Sequence, residues 1–381
     1  MKEAKLYLPG RYFIGPGVLE RGLKETKRLG NRTVVITGRK WAIESGTFDL
    51  VKKTLKAMGT EVHLLSGISP NPDASEIDEK AQSVRKIDPD FITGLGGGSV
   101  LDATKAISLV TRSGGKVWDY VVRKLSPGGA YPVVAISTVA ASGSDFDGAA
   151  VINNRALRAK MPISHPDLVP VISIVDIKLH VTVPKYTTAI GCVDIFCQFF
   201  EPYITGEEEF FASKNLALAS MKRVMDVCPL VLENPNSLEY RGELAYLASL
   251  SMSGFFRVGR GGGFSMHWLE HVLSGHFPEI PHAQGLASLI VAYTRFFSNS
   301  PGVRSVSEFL TGNPNQLPSH IDQWLSRIGV RKRLRDLGVG KEKLPELAKD
   351  VVKYYGWLDG RVPAPHPMTE EDVLEIYRMS W

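Results

Sequence analysis

The sequence changes character at Pro184. Before it, short apolar runs alternate with helix-length segments such as Ala74–Lys86 and Val100–Ser113. The predicted strands are Arg32–Thr37, Glu61–Leu65, Asp90–Leu95, Pro132–Ile136 and Val171–Val175. Apolar runs without polar alternation are typical of buried parallel strands, and strands that alternate with helices form βαβ units. We therefore predict an α/β, Rossmann-like domain with a parallel sheet over residues 1–183.

After Pro184 the apolar residues recur every three or four positions, and no strand is apparent. The predicted helices are Thr187–Ile204, Glu208–Val231, Ser237–Arg257 and Ser265–Gly275. This spacing is typical of amphipathic helices. We therefore expect residues 184–381 to form an all-helical domain. A length of 381 residues agrees with two domains, since single cores rarely grow beyond about 250–300 residues.

Composition excludes several classes of protein. With 44% hydrophobic and 22% charged residues, the chain can bury a large core. Its apolar runs are too short to cross a membrane, and Met1–Leu6 does not resemble a signal peptide. Three cysteines cannot form a disulfide framework. The basic cluster Val330–Arg335 lacks interleaved aromatic residues, so we interpret it as a solvated helix that ends at Gly338. We expect a cytoplasmic enzyme that binds neither membranes nor nucleic acid.

The run Gly96–Ser99 directly follows a predicted strand and opens a predicted helix. Consecutive glycines let the backbone approach a pyrophosphate, and the start of a helix offers free N–H groups and the positive end of its dipole. The spacing matches neither the G-x-G-x-x-G fingerprint nor the P-loop. We interpret the run as a phosphate site; the alternative is a flexible turn. In either case Ser99 could cap the helix.

Two further loops bear on a nucleotide site. Ser137–Asp145 is rich in hydroxyl and small side chains and follows a strand, which suits either a ligand crevice or an ordinary loop. Gly38, Arg39 and Lys40 follow the first predicted strand without an acidic residue for the ribose hydroxyls. Two cations there favour the 2′-phosphate of NADP over NAD. Alternatively, both are simply solvated at a helix start.

The helical half contains a polar cluster. Asp194, Gln198 and Glu201 fall on one helix face. Four of the nine histidines lie within sixteen residues, namely His267, His271, His276 and His282. Histidines at helical spacing with an upstream Asp favour a metal or catalytic site over ordinary packing. Cys192 and Cys197 flank Asp194, but five residues apart they cannot both face a metal, and we expect them to be core residues.

Together these motifs resemble the iron-containing alcohol dehydrogenases over about Tyr12–Tyr377. The resemblance rests on four features. They are the motif G-G-G-S-x-x-D-x-x-K; the loop Ser137–Asp145, called the hydroxyl loop below; an Asp followed along the chain by H-x-x-x-H and then P-H-x-x-G; and the turn Pro70-Asn71-Pro72. It is strongest toward the NADPH-dependent butanol dehydrogenase branch. Glycerol dehydrogenase and dehydroquinate synthase share the fold and match these motifs less well. The resemblance implies a dehydroquinate synthase-like fold and a homodimer.

The resemblance also implies residue roles. Cofactor-binding residues would be Gly38, Arg39, Lys40, Asn71, Gly96, Gly97, Gly98, Ser99, Asp102, Thr138, Ser142 and Lys160. Metal ligands would be Asp194, Gln198, His267 and His282, with His271 as the catalytic proton relay. Members that use NAD place an Asp where this chain has Gly38, which agrees with NADP(H). The implied metal is Fe²⁺, with Zn²⁺ or Mn²⁺ as alternatives.

The chain departs from the family at Gln198, where the family has a histidine. An amide oxygen is a poorer donor than imidazole for Fe²⁺ or Zn²⁺. Gln198 therefore either ligates weakly, favours Mn²⁺ or marks a lost metal. We expect an NADP-dependent alcohol dehydrogenase or aldehyde reductase that acts on a small alcohol or aldehyde. The alternatives are a catalytically silent nucleotide-binding homologue and a polyol dehydrogenase of the glycerol type.

Overall fold

The computed structural model describes residues 5–207 and 210–381. They form two compact units, which are described here one at a time. The sheet unit contains residues 7–183 and 236–253. The helical unit contains residues 184–235 and 254–381, together with the described residues that precede Tyr7.

The sheet unit is built on a parallel sheet, as predicted, and this sheet has six strands. Its strands are β1 (Arg11–Gly15), β2 (Arg32–Gly38), β3 (Glu61–Ile68), β4 (Phe91–Gly96), β5 (Val133–Ser137) and β8 (Ile172–Asp176), in the order β1-β8-β5-β4-β2-β3. An antiparallel hairpin adds β6 (Ala149–Asn154) and β7 (Ala159–Ser164). The sequence patterns predicted five of these strands and missed β1 and the hairpin. Because β2, β4 and β5 are neighbours and parallel, the loops that follow them share one edge of the sheet.

The helices are numbered in chain order. They are α1 (Leu19–Lys24), α2 (Trp41–Glu44), α3 (Thr47–Ala57), α4 (Ala74–Ile87), α5 (Gly98–Ser113), α6 (Val117–Val121), α7 (Lys185–Thr205), α8 (Phe211–Glu233), α9 (Leu238–Met252), α10 (Ser265–His276), α11 (His282–Phe296), α12 (Pro301–Thr311), α13 (Leu317–Arg327), α14 (Leu344–Tyr355) and α15 (Glu370–Ser380). None of the helices in the described ranges has the length and hydrophobicity needed to cross a lipid bilayer.

Helices cover both faces of the sheet. Val34 and Ile36 of β2 pack in one core with residues of α4 and α5, while Val35 packs in another with residues of α1 and α3. Successive strand side chains point to opposite faces. Every side chain of β2 from Thr33 to Ile36 is buried. Because both faces of the sheet are covered, successive strand positions can all be apolar, which explains the uninterrupted apolar runs in the sequence.

Helix α9 belongs to the sheet unit, although it follows α7 and α8 in sequence. Ala245 packs with Val175 and Ile177, and the Ser249 hydroxyl donates to Oδ2 of Asp145 at 2.5 Å. The predicted helix Ser237–Arg257 also ends earlier, at Met252, and a short 3₁₀ turn follows. Apolar periodicity identifies the buried face of a helix but not the element that covers it, so the sequence could not assign α9 to the sheet.

The helical unit is organised around α7. Its residues from Thr188 to Ile204 are all buried, including the polar residues Asp194, Gln198 and Glu201. Apolar residues cover the rest of the helix, as expected of a helix that packs on all sides. Cys192 and Cys197 are among them and are core residues, as predicted. Helix α8 begins at Phe211; the predicted start at Glu208 lies outside the described residues.

The basic cluster near residue 330 does not form the predicted helix. Residues 330–333 are non-helical, and a 3₁₀ turn (Leu334–Leu337) follows. The turn starts there because the Asp336 carboxylate accepts the backbone N–H of Arg333 at 2.8 Å. It ends at Gly338, whose left-handed φ of 83° suits glycine. The cluster is therefore a capped turn.

Candidate active site

In the sheet unit, the run Gly96–Ser99 packs against the hydroxyl loop. Helix α5 starts at Gly98, with Gly97 at the N-cap. A Cβ atom on Gly98 would lie 2.4 Å from Oγ of Ser142, so a side chain there would displace the hydroxyl loop. The backbone N–H of Thr138 donates to the carbonyl oxygen of Gly96 at 3.1 Å. The structure thus brings the glycines, Thr138 and Ser142 together at the end of β4.

Ser99 is not the helix cap that the sequence allowed, because Gly97 occupies that position. Instead, the Ser99 hydroxyl accepts the backbone N–H of Asn71 at 3.3 Å. Asn71 has a left-handed φ of 53°, which Asn tolerates better than most residues. The turn around Asn71 therefore rests on the first turn of α5, beside the candidate phosphate site.

Asp102 and Lys105 of α5 fix the surrounding loops. Oδ1 of Asp102 accepts the Ser144 hydroxyl at 2.6 Å, and Oδ2 accepts the backbone N–H of Val151 at 3.0 Å. Desolvation raises the pKa of Asp102. The fully buried Lys105 donates to Oγ of Ser144 at 2.9 Å and pairs with Asp147 at 2.5 Å. No role was predicted for Lys105 itself; its position in the G-G-G-S-x-x-D-x-x-K pattern was the available signal.

The positions that bear on cofactor choice lie at the ends of β2 and β3. A Cβ atom on Gly38 would meet only ordinary contacts, the nearest at 3.7 Å from Val100. Packing therefore does not require glycine there. The exposed Arg39 guanidinium donates to the Ser69 hydroxyl at 3.0 Å, and Lys40 is exposed. Lys160 lies in β7 and is buried.

In the helical unit, three predicted metal ligands converge. Nε2 of His267 lies 3.4 Å from Oδ1 of Asp194, and Nε2 of His282 lies 4.0 Å from the same oxygen. Asp194 comes from the middle of α7, His267 from the first turn of α10 and His282 from the start of α11. Their ligand atoms all lie within 4.8 Å of one another. One carboxylate and two imidazoles are a donor set that divalent transition metals accept.

Gln198 lies one turn after Asp194 and is buried beside it. Its amide Nε2 donates to Oδ1 of Asp194 at 2.9 Å, the oxygen that faces both histidines. In this orientation Gln198 supports the carboxylate. Ligation by its amide oxygen stays a prediction.

Two fully buried glutamates hold the histidine rings. Nδ1 of His267 donates to Glu201 at 2.5 Å, and Nδ1 of His282 donates to Glu270. A carboxylate that accepts Nδ1–H leaves the Nε2 lone pair free for a metal. Sequence spacing predicted that Glu201 shares a helix face with Asp194 but assigned it no role, and it did not identify Glu270. An acidic residue inside the apolar segment Trp268–Leu273 was the signal that could have identified it.

The cluster is strongly negative. Asp194, Glu201 and Glu270 are three buried carboxylates that face two imidazoles. Burial opposes the charge on His267, but Glu201 and Asp194 raise its pKa to about 10. Burial likewise opposes the charge on Asp194, yet the hydrogen bond with His267 and the neighbouring histidines lower its pKa. The site therefore favours a cation, and the donor atoms fit a divalent metal ion.

His271 lies beside this cluster, one turn after His267. Its ring is 5.5 Å from that of His282, centre to centre. Its Nδ1 is 3.1 Å from the hydroxyl of Tyr355, which is fully buried at the end of α14. Burial raises the pKa of Tyr355, so the phenol stays protonated and can donate. The sequence predicted His271 and missed Tyr355.

Comparisons with known proteins identify the family of the chain. The family model of iron-containing alcohol dehydrogenases matches residues 9–177, and that of the C-terminal part of the Fe-containing alcohol dehydrogenase family matches residues 188–381. NADH-dependent butanol dehydrogenase A of Clostridium acetobutylicum is 28% identical over 98% of each chain. Probable NADH-dependent butanol dehydrogenase 2 of Bacillus subtilis is 30% identical over the full length of both.

A solved structure gives the same result. NADH-dependent butanol dehydrogenase A of Thermotoga maritima superposes with a TM-score of 0.94 at 26% identity, over 100% of this chain and 99% of the other. The resemblance to the iron-containing alcohol dehydrogenases and the fold class, both inferred from the sequence, are therefore confirmed. The protein is an oxidoreductase that belongs to the iron-containing alcohol dehydrogenase family.

Proposed function

We propose that the protein is an NADP-dependent alcohol dehydrogenase that also works as an aldehyde reductase on small aldehydes or ketones. The observation that carries the proposal is the convergence of Asp194, His267 and His282, each imidazole being oriented by a buried carboxylate. The family match supplies the reaction class. We further propose a homodimer, which light scattering of the purified protein would test.

Asp194, His267 and His282 would hold a divalent metal ion, with Gln198 as a fourth ligand or as the hydrogen-bond donor that steadies Asp194. When bound, such an ion supplies Lewis acidity that polarises the carbonyl and favours the alkoxide of the alcohol. Because Glu201 and Glu270 engage Nδ1 of each histidine, Nε2 of each is turned toward Asp194 and would be the atom that binds the ion. Both glutamates also balance the charge of the ion inside an otherwise buried cluster.

His271 is proposed to move the proton. Its Nδ1 is engaged with the Tyr355 hydroxyl at 3.1 Å, and if that hydroxyl donates, the ring carries its proton on Nε2. The ring of His282, a proposed metal ligand, lies 5.5 Å from that of His271, which supports this role. A fixed tautomer beside the reacting oxygen is what a proton relay requires.

The glycines at the start of α5 would bind the pyrophosphate of the cofactor, which supplies the hydride when bound. Support for NADP comes from Gly38, Arg39 and Lys40, where an acid is absent and two cations are exposed. The relatives described above carry NADH in their names, so cofactor choice is the part of the proposal that most needs a direct measurement.

The test is aldehyde-dependent oxidation of NADPH and of NADH by protein stripped of metal and then supplied with Fe²⁺, Zn²⁺ or Mn²⁺. We expect activity to return with metal in the wild type and not in His267→Ala. His320→Ala, a histidine substitution on α13, serves as the matched control and should behave as wild type. Full activity in metal-free protein and in His267→Ala would overturn the metal-assisted mechanism. No turnover by any metal form would favour the silent nucleotide-binding alternative.

A further inference from the structure

Three aromatic side chains extend outward from the proton-relay histidine. Tyr355, whose hydroxyl contacts His271, stacks on Trp268 with ring centres 5.5 Å apart and planes 9° apart. Trp357 meets Trp268 edge to face at 4.9 Å. We refer to Trp268, Tyr355 and Trp357 as the aromatic wall. All three belong to the helical unit.

Exposure increases along the aromatic wall. Tyr355 is fully buried, Trp268 is 9% exposed and Trp357 is 56% exposed. The indole of Trp357 is nevertheless held in place, because its Nε1 donates to the carbonyl oxygen of Tyr354 at 3.2 Å. A held, exposed indole offers apolar area to a ligand at little cost in side-chain entropy.

The aromatic wall is continuous with the candidate metal cluster. The ring centres of His271 and Tyr355 are 6.2 Å apart, and those of Tyr355 and Trp357 are 5.7 Å apart. On the other side, the ring of Phe264 lies 5.2 Å from that of His267. A substrate that extends outward from a carbonyl beside His271 would therefore meet the exposed indole of Trp357, which Tyr355 and Trp268 support from the buried side.

We propose that Trp357 determines specificity and that the preferred substrates are aldehydes, with their alcohols, that carry an aromatic ring set back from the carbonyl by a short linker. This inference rests on the proposed function, because the wall selects a substrate only if the carbonyl reacts beside His271. A flat ring gains edge-to-face or offset contacts with indole, whereas an alkyl chain gains only buried area. The linker is needed because Trp357 does not touch His271: the ring of Tyr355 lies between them, 6.2 Å from His271 and 5.7 Å from Trp357.

Steady-state reduction of 3-phenylpropanal and of propanal tests the inference. We expect Trp357→Ala to raise KM for 3-phenylpropanal roughly tenfold and to leave propanal within about twofold. Trp357→Phe, which keeps a ring, should retain most of the wild-type preference. Phe309→Ala removes a similarly exposed ring from α12 (47% exposed) and should change neither substrate. Equal effects of Trp357→Ala on both aldehydes, or no effect, would overturn the inference.

Calorimetric titration with 3-phenylpropanol and 1-propanol measures the same contact without turnover. If the wild type binds 3-phenylpropanol and Trp357→Ala binds it roughly tenfold more weakly, the contact is supported even in a protein that reduces no aldehyde; only the proposed function then fails. If the wild type reduces propanal but Trp357→Ala treats the two alcohols as the wild type does, the inference fails and the proposed function stands.

Discussion

Oε1 of Glu201 lies 2.5 Å from Nδ1 of His267, and its other oxygen accepts the backbone N–H groups of Met266 and His267. One carboxylate thus caps the start of α10 and orients a candidate metal ligand. Its negative charge also makes the Nε2 lone pair of His267 a better donor.

We expect Glu201→Gln to weaken Zn²⁺ binding by roughly ten- to a hundredfold, because a neutral amide no longer polarises His267. The amide oxygen can still accept the backbone N–H groups, so the fold should persist. Zn²⁺ affinity from competition with a chromogenic chelator measures the effect, and circular dichroism checks the fold. Wild-type affinity in the variant would show that Glu201 acts only as a helix cap.

Gln198→His should raise the affinity for Zn²⁺ and Fe²⁺. An imidazole nitrogen would replace an amide, and exchanging such a donor changes affinity on the order of ten- to a hundredfold. Gln198→Ala, which offers no donor atom, is the control and should not gain affinity. Metal content after dialysis against limiting metal provides the measurement. An unchanged or lower affinity in Gln198→His would mean that position 198 does not face the metal.

NADPH should bind at least roughly tenfold more tightly than NADH, because one charge-assisted contact to the 2′-phosphate is worth about 1.5–3 kcal/mol and tenfold needs about 1.4 kcal/mol. Gly38→Asp should reverse the preference, since the carboxylate repels the phosphate and accepts the ribose hydroxyls. The position has room for it. Cofactor fluorescence titration decides the matter. Gly128→Asp, at another glycine with only distant neighbours, should keep the wild-type ratio. Equal affinities in the wild type would refute the prediction.

Gly97→Val should abolish binding of both cofactors without unfolding the protein. Gly97 is the N-cap of α5, and a Cβ atom there would lie 3.3 Å from Val139, so a branched side chain would push the hydroxyl loop away from the glycines and deform the proposed pyrophosphate site. Gly97→Ala adds a single methyl group and should cause a smaller loss. Titration with NADPH, beside thermal unfolding, separates lost binding from lost folding. Normal NADPH binding by Gly97→Val would place the phosphate site elsewhere.

His180 should make the sheet unit sensitive to acid. Its ring is buried, Nε2 is 3.1 Å from the carbonyl oxygen of Ser137, and burial lowers its pKa to about 4. The unfolded chain takes up this proton near pH 6.5. The folded state therefore loses stability as the pH falls from about 6.5 toward 4, by about 2 kcal/mol between pH 7 and 5.

The expected outcome is that His180→Gln shows a smaller drop in apparent Tm between pH 7 and 5 than the wild type. The Gln amide can still donate to the Ser137 carbonyl, but it does not titrate. An identical pH dependence in His180→Gln would show that the buried imidazole does not control acid stability.

Much of the fold could be predicted because buried parallel strands leave apolar runs in the sequence. The elements that were missed have weaker patterns for physical reasons. Strand β1 lies at the edge of the sheet, pairs with β8 alone among the described strands and is partly exposed. The hairpin of β6 and β7 mixes apolar residues with Asn, Lys and Pro, so its alternation is poor.

At the candidate site, helical spacing placed His267 and His271 on one face and indicated, with the upstream Asp194, a metal or catalytic cluster. The role of each residue came from the family resemblance. Helical spacing could not predict Tyr355, which contacts His271 from 84 residues away. Glu270 was missed for a different reason: its partner His282 lies on the next helix, and only the packing of α10 against α11 brings them together. Contacts across helices depend on how the helices pack, and local spacing does not specify that.

The assignment of α9 to the sheet unit has a consequence for the order in which the chain can fold. The polypeptide leaves the sheet unit after Val183, enters it again at Asn236 and leaves it again after Ser253. Domains fold as their residues emerge during synthesis, so the sheet can form early. Val175 and Ile177 stay uncovered, however, until Ala245 has been synthesised and packs against them. By then α7 and α8 have already been made. The sheet unit therefore reaches its final packing only after residue 253 has been synthesised, and a fragment cut at Val183 would lack the helix that completes it.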